Sequence, residues 1–330
     1  MKLSCTQGWV KSVEEKVVDI EIPINIRALK TSTIYHVITE GKNILIDTGM
    51  DPGTENFLLQ RNVRVEDLDA IFLTHLHIDH LGGAQRMHLD HSIPVYIGYE
   101  DLIRVRSIQE DPSGFLSELI DFLRMNGVPE SYLQKFGENH PVVMELENYR
   151  SLDIEDISSI PGGTFGGIKF VATPGHSPGS TCFYMKTDKY MFTGDHILER
   201  ITPNISFYDR DTDMLGLYIK SLRETMKFIV DRVFPGHGKP FSGMKERAQS
   251  IIDHHIARTQ EIRDIVKNLW MNAYEIAGRM TWSRGRKMGT MNSMEQNFAI
   301  GEAIAHIRYM KNSGELVERE VNGILQYRSY

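Results

Sequence analysis

The stretch that decides the fold of this chain is Thr74-His75-Leu76-His77-Ile78-Asp79-His80-Leu81-Gly82-Gly83. It follows the apolar run 70–73, which predicts a short buried strand. In an extended or turn conformation His75 and His77 project to the same side, and Asp79 and His80 lie on the bend that follows. Imidazole and carboxylate groups together are the ligand mixture typical of zinc and similar ions. The stretch therefore predicts two adjacent metal sites, the alternative being a polar surface loop.

Three further loops carry candidate ligands, each on a tight turn beside a predicted strand. They are residues 173–179 with His176, residues 192–195 with Asp195, and residues 234–238 with His237. Glycine and proline in these loops hold each candidate on a preset turn rather than on a flexible surface. One such turn is weak evidence for a metal site, but three of them in this order after the histidine-rich stretch are strong evidence.

These segments resemble the metallo-beta-lactamase superfamily, whose H-x-H-x-D-H motif matches residues 75–80. The resemblance implies two divalent cations per chain, with zinc expected and manganese or iron as alternatives. It also implies that Asp47 orients the ligands without being one. The ligand set that it implies is His75, His77 and His176 for the first ion, Asp79, His80 and His237 for the second, and Asp195 as the bridge between them.

The resemblance covers about residues 17–243 and implies an α+β fold, a four-layer αβ/βα sandwich with the dinuclear site at one edge of two sheets. The patterning of the sequence agrees with this fold, because short β-rich runs alternate with turn signals and with helical segments. Helices are predicted at 54–60 and 214–230. Strands are predicted at 17–26, 32–39, 43–47, 70–73, 168–172, 181–185, 190–192 and 233–234.

We predict two domains, a catalytic domain at 1–243 and a small C-terminal helical, winged-helix-like domain at 244–330. A helical lid insertion interrupts the first at about 100–135, where apolar residues recur at spacings of three and four. The second contains long helical patterns followed by a hairpin around Asn322-Gly323. It resembles the winged-helix appendage of one superfamily branch, some members of which act on RNA.

Composition limits the class of protein further. The chain has 330 residues, 41% of them hydrophobic, and a net charge of −7, which disfavours polyanions as partners. No apolar run reaches the roughly 18 residues that a membrane span needs. Residues 1–7 lack the pattern of an export signal, and two cysteines, Cys5 and Cys182, do not make a disulfide framework. We therefore expect a cytoplasmic protein with no membrane partner.

The expected reaction is hydrolysis, with a metal-bridging hydroxide attacking a carbonyl and Asp79 positioning the nucleophile or relaying its proton. The first hypothesis is a small acyl substrate, an ester, thioester or lactone, beneath a lid whose Phe115, Leu119 and Phe122 either roof the pocket or form the lid's own core. The second is a phosphodiesterase or endoribonuclease that grips single-stranded nucleic acid with the basic loop 284–287. The C-terminal domain is alternatively a dimerisation surface, and a homodimer is expected.

Other histidines are assigned structural roles. A solvated or capping role is expected for His254 and His255, and a packed position for His36. His196 follows a candidate ligand and has substrate contact as its alternative, while the histidines with no ligand-like turn around them are His88, His91, His140 and His306.

Overall fold

The computed structural model describes residues 16–26, 29–50, 53–144, 146–150 and 152–330. Residues 1–7 and Cys5, which bear on the expectations about export and thiols, lie outside the described residues. None of the helices among the described residues has the length and hydropathy needed to cross a bilayer.

The first sheet contains six described strands in sequence order. They are β1 (Lys16–Ile26), β2 (Leu29–Thr39), β3 (Lys42–Ile46), β4 (Ala70–Phe72), β5 (Val95–Ile97) and β6 (Glu155–Asp156). The turn between β2 and β3 places Glu40 and Gly41 at φ of 45° and 74°, as a tight hairpin requires. From β3 onward the strands pair in parallel, with helical crossovers between them at α1 (Thr54–Leu59), α2 (Ile78–Leu81) and α3 (Ala84–His91).

The second sheet contains five described strands in the order β11-β10-β9-β8-β7. They are β7 (Thr164–Phe165), β8 (Ile168–Ala172), β9 (Thr181–Met185), β10 (Tyr190–Gly194) and β11 (Arg232–Pro235). Helix α9 (Met214–Thr225) connects the parallel pair β10 and β11. It ends five residues before the predicted boundary at 230, because Phe228 packs on the Tyr184 ring at 4.9 Å and the Tyr184 hydroxyl donates to the Ile229 carbonyl.

The two sheets pack face to face over an aromatic core. Tyr35 and Phe72 of the first sheet lie with Phe183 and Phe192 of the second in one buried cluster. The outer faces of the sheets carry two more clusters, one with α1 and α3 and one with α9. Helix, sheet, sheet and helix follow one another in that order, so the predicted four-layer α+β sandwich is confirmed.

The insertion consists of helices and continues further than about 135. Its elements are α4 (Tyr99–Glu110), α5 (Pro112–Met125), α6 (Glu130–Asn139), α7 (Pro141–Met144) and α8 (Leu146–Arg150). Asp111 separates the first two, since its carboxylate accepts from the Gly114 N–H and caps α5, while Pro112 occupies the first helical position.

The C-terminal region packs against this insertion. It comprises α10 (Met244–Ile265), α11 (Ala273–Arg279), α12 (Ser293–Asn312), β12 (Leu316–Val321) and β13 (Ile324–Ser329). Asn322 and Gly323 form the predicted hairpin turn, with φ of 52° and 78°. Phe122 and Leu123 of α5 lie in the same buried cluster as residues of α10, α11 and α12. The insertion and the C-terminal region therefore share one hydrophobic core.

Candidate metal centre

Asp47 organises the loop that follows β4. It lies just after β3 with a φ of 60°, a conformation that aspartate tolerates better than most residues. Its carboxylate accepts from the Thr74 backbone N–H at 2.7 Å, from the Thr74 hydroxyl at 2.8 Å and from His80 Nδ1 at 2.8 Å. These contacts are the ones expected of a residue that orients the ligands, as predicted for Asp47, and they leave His80 Nε2 as the nitrogen that faces the centre.

All seven sequence-predicted ligand residues come together at the edge of the two sheets. His75 Nε2 and His176 Nε2 each lie 3.0 Å from His77 Nδ1. Asp195 lies between this group and the next, with Oδ2 3.7 Å from His176 Nε2 and 3.3 Å from His237 Nε2. The sets of side chains positioned to hold an ion together are His75, His77 and His176; His75, His80 and Asp195; and Asp79, His80 and His237.

Backbone carbonyls fix the protonation of two of these histidines. His176 Nδ1 contacts the Asn204 carbonyl at 3.0 Å, and His237 Nδ1 contacts the Thr31 carbonyl at 2.8 Å. A carbonyl only accepts, so each Nδ1 carries a hydrogen and each Nε2 is the nitrogen that faces the centre.

Hydroxyl groups fix which ring nitrogen carries the proton in two more of these histidines. The Tyr208 hydroxyl donates to the His176 carbonyl at 3.1 Å, so it accepts from His77 Nε2 at 2.8 Å and leaves His77 Nδ1 as a lone pair. The Thr74 hydroxyl donates to the carboxylate described above and accepts from His75 Nδ1 at 3.0 Å. With His80 and His237 deprotonated, all five imidazoles turn a lone pair toward one another, which is the arrangement that a cation needs.

The charges of the centre also favour bound cations. Burial alone would raise the pKa of Asp79, but His80 and His237 lower it to about 2. Burial alone would lower the pKa of His80, but neighbouring carboxylates raise it to about 9. His80 Nε2, Asp195 Oδ1 and His237 Nε2 are buried without a hydrogen-bond partner among the described residues. Protons and divalent cations thus compete for the same nitrogens, and the donor set fits ions of the zinc type.

A family model described as the metallo-beta-lactamase superfamily matches residues 29–237 of this chain. The chain belongs to the metallo-beta-lactamase superfamily. A metallo-beta-lactamase family protein from Thermus thermophilus has the same fold, with a TM-score of 0.77 over 95% of this chain and 98% of its own, at 22% identity. Coverage this broad extends the shared fold into the C-terminal region.

Two curated relatives cover most of the superfamily domain. The "Beta-lactamase-like protein 2 homolog" of Caenorhabditis elegans is 24% identical over 72% of this chain and 66% of its own length. The "Atrochrysone carboxyl ACP thioesterase" of Aspergillus fumigatus is 23% identical over 73% of this chain and 61% of its own. This chain therefore spans under two thirds of the length of both relatives.

Asp101, at the start of α4, holds two ligand loops of this superfamily member together, and sequence reasoning missed it. Its carboxylate accepts from the Leu76 N–H at 3.0 Å, the Ser177 hydroxyl at 2.6 Å and the Gly179 N–H at 2.6 Å. Burial raises the pKa of Asp101 to about 6, and the three donors act in the opposite direction. No motif surrounds Asp101, so nothing in the sequence distinguishes it from an ordinary acidic residue in a first helical turn.

The C-terminal region also reaches the metal centre. Asn204, whose carbonyl accepts from His176, donates through its side chain to Glu302 Oε2 of α12 at 3.4 Å. Glu302 Oε1 in turn accepts from Arg258 Nε of α10 at 3.2 Å. The close approach depends on Gly301, where a Cβ would lie 2.2 Å from the Ser206 hydroxyl. None of these residues was predicted to lie near the site.

The remaining histidines lie away from the centre, with one correction. His196 Nε2 contacts the Thr225 hydroxyl at 3.0 Å, so the alternative of substrate contact has no support. His254 is exposed as expected, and His36 is packed as expected. The expectation for His255 is wrong, because its side chain is fully buried and Nδ1 contacts His306 Nε2 at 3.1 Å.

Proposed function

We propose that this chain is a dinuclear hydrolase that cleaves an ester, thioester or lactone of a small acyl substrate, with zinc as its metal. The observation that carries the dinuclear assignment is the position of Asp195, whose carboxylate oxygens face His176 at 3.7 Å, His80 at 3.5 Å and His237 at 3.3 Å. One carboxylate in contact with two groups of imidazoles is suited to bridging two ions.

Two divalent cations bound here would supply Lewis acidity and a hydroxide nucleophile near neutral pH. Asp79, ionised and with Oδ2 3.3 Å from His237 Nε2, is placed to orient the attacking water and to accept its proton. A protein nucleophile is unnecessary. Burial raises the pKa of the Cys182 thiol to about 12, which makes Cys182 a core residue rather than a reactive one.

The basic loop gives little support to the nucleic-acid alternative. Arg286 Nη1 donates to the Glu295 carboxylate at 2.9 Å. Lys287 Nζ donates to the Arg279 carbonyl at 2.8 Å and to the Thr281 hydroxyl at 3.1 Å. Cations already engaged inside the protein are poor phosphate contacts, because binding would first break these bonds. This favours the acyl substrate, as does the thioesterase named among the relatives.

The apolar residues of the insertion divide between the two roles expected for them, a roof over the pocket and the insertion's own core. Phe122 is buried in the core shared with the C-terminal region and contacts the Phe207 ring at 5.1 Å. Phe115 and Leu119 are half-buried. The acyl chain would accordingly meet the first half of the insertion, where Phe115 lies, rather than Phe122.

The test is hydrolysis by zinc-loaded protein of an acyl thioester, an aryl ester and a lactone, beside a phosphodiester and a short single-stranded RNA. We expect cleavage of one or more of the three acyl substrates and of neither the phosphodiester nor the RNA. We also expect two zinc ions per chain, and the loss of both zinc and activity in Asp195→Ala. The matched control is Asp253→Asn, a surface carboxylate on α10 that contacts Gln249. Cleavage of the phosphodiester or RNA alone would transfer the assignment to the nuclease hypothesis.

A further inference from the structure

Arg104 of α4 is a half-buried cation that stacks between two aromatic rings. Its guanidinium carbon lies 5.3 Å from the centre of the Phe115 ring and 5.1 Å from that of Tyr208. Its Nε is buried without a hydrogen-bond partner among the described residues. Stacking on aromatic rings satisfies the faces of a guanidinium but leaves its N–H groups unused.

Arg258 gives a comparison, a buried arginine whose Nη2 also lacks a hydrogen-bond partner among the described residues. It also stacks on an aromatic ring, with its guanidinium carbon 4.3 Å from the centre of the Trp282 ring. Unlike Arg104, it has carboxylate partners in Glu302 at 3.2 Å and Glu261 at 2.6 Å. At Arg258, aromatic stacking therefore accompanies carboxylate partners and does not replace them.

The acidic residues nearest Arg104 are occupied by other donors. Asp101 accepts the three bonds that join the ligand loops. Asp209 accepts from the N–H groups of Asp211 and Thr212, at 2.8 and 2.7 Å, and from the Thr212 hydroxyl. Glu118 acts on Arg104 at longer range, without a contact. The guanidinium thus lies in a field of negative charge but has hydrogen bonds to offer.

Arg104 lies beside the metal centre. The Tyr208 ring on which it stacks carries the hydroxyl that contacts His77 Nε2 at 2.8 Å and the His176 carbonyl at 3.1 Å. A single phenol ring separates the guanidinium from two ligand histidines. This proximity is what would let one substrate reach the guanidinium and the metals together.

We propose that Arg104 binds an oxyanion of the substrate, so that the preferred acyl substrates carry a carboxylate on the acyl chain. This inference rests on the proposed acyl hydrolase function. A guanidinium pairs with two oxygens of a carboxylate or phosphate at once, and partial burial strengthens that pairing. A phosphate on the leaving thiol is the other source of the same chemistry, and the experiment separates the two.

The experiment compares kcat/KM for the succinyl and butyryl thioesters of N-acetylcysteamine, and for butyryl coenzyme A, whose phosphates lie on the thiol. We expect wild-type protein to prefer the succinyl thioester, and Arg104→Met to lower the succinyl-to-butyryl ratio at least tenfold. Arg104→Lys should restore part of the preference, since it keeps the charge but loses the planar pair of donors. The control is Arg106→Met, an exposed arginine on the same helix, which should leave the ratio unchanged.

An unchanged ratio in Arg104→Met, with the variant folded by thermal unfolding, would overturn the inference. Arg104→Met could instead lose a preference for butyryl coenzyme A over the butyryl cysteamine thioester and keep the preference for the succinyl group. That result would overturn the carboxylate as the ligand of Arg104 and assign the phosphate of the thiol. If wild-type protein cleaves none of the thioesters, the aryl ester and the lactone, the proposed function fails separately. Calorimetric binding of the uncleavable succinyl and butyryl amides then decides on Arg104, and equal affinities for the two would reject it.

Discussion

The molecule contains two groups of buried histidines that differ in what surrounds them. In the metal centre, five imidazoles face the carboxylates of Asp79 and Asp195, and a third carboxylate, Asp47, holds His80 from behind. In the C-terminal region, His255 faces His306, and the His306 Nδ1 donates to the Glu302 carbonyl at 2.7 Å. The titratable neighbours that act on this pair include a cation, Arg258.

The carboxylates account for the difference. Burial, with a smaller contribution from Arg258, lowers the pKa of His306 to about 3, so the pair stays neutral. Burial acts on His80 in the same direction, yet the carboxylates around it raise its pKa to about 9. Burial still lowers the pKa of His75, His77 and His176, so the carboxylates prevail at His80 and His237 only. The C-terminal pair has no member whose pKa is raised.

The largest expected effect removes a carboxylate from the first group. Asp195→Ala should lower kcat/KM by about 10³-fold or more, because several kcal/mol of transition-state stabilisation depend on the metals that it holds. Elemental analysis beside activity checks this, with His255→Gln as the comparison in the second group. Retention of full metal content by Asp195→Ala, or its loss from His255→Gln, would break the distinction between the two groups.

The next effect concerns the carboxylate behind His80. Asp47→Asn should weaken zinc binding about 10- to 100-fold, the usual consequence of losing a partner that orients a metal ligand. Competition with a zinc chelator measures it. Asp69→Asn is the matched control, since Asp69, like Asp47, accepts from a side chain and from a backbone N–H. Its donors are Lys42 and Asn43, at the other end of β3. Equal zinc affinity in both variants would show that Asp47 serves the fold alone.

Because the His255–His306 pair is neutral when folded, the free energy of unfolding should depend on pH. In the folded protein the pKa of His306 is about 3, whereas a histidine in the unfolded chain has a pKa of about 6.5. Its contribution to stability is thus present above pH 6.5 and is lost as pH falls, by up to about 1.4 kcal/mol per pH unit for one proton. Denaturant unfolding of the chelator-treated protein should show a shallower slope in His306→Gln between pH 6 and 4, and parallel curves would contradict this.

The smallest effect tests the connection between the two groups. Glu302→Gln should weaken zinc binding about threefold, since it acts on His176 only through Asn204. Glu261→Gln is the control, because Glu261 also pairs with Arg258 but does not contact Asn204. Chelator competition with both variants measures the difference. A matching change in the two would assign the effect to Arg258 and not to the path toward His176.

The sequence alone predicted the candidate ligands because each lies on a turn with its own local signature. His176 and His237 have glycine before them, and at Gly236 a Cβ would lie 2.5 Å from Asp195 Oδ1. The strands were predictable for the same reason, since alternation and turn signals are local. The end of helix α9 was less predictable, because it depends on Tyr184, a residue of strand β9.

The supporting residues were not predictable because their partners are far away along the chain. Tyr208 contacts a histidine 131 positions earlier, and Asp101 contacts Ser177, 76 positions later. Neither has a distinctive neighbourhood in sequence. His255 was misplaced for a similar reason, since its partner His306 is on another helix. Burial of this kind depends on how helices pack, which local patterns do not specify.

The core shared by the insertion and the C-terminal region limits how this architecture can be rearranged. Phe122 and Leu123 of the insertion lose their cover if the chain is cut after α9, and Met271 and Ile276 lose theirs if the insertion is removed. The two segments are separated in sequence by the whole second sheet, yet neither is a portable module. A chimera or a natural lineage would have to exchange them together, as a single inherited unit.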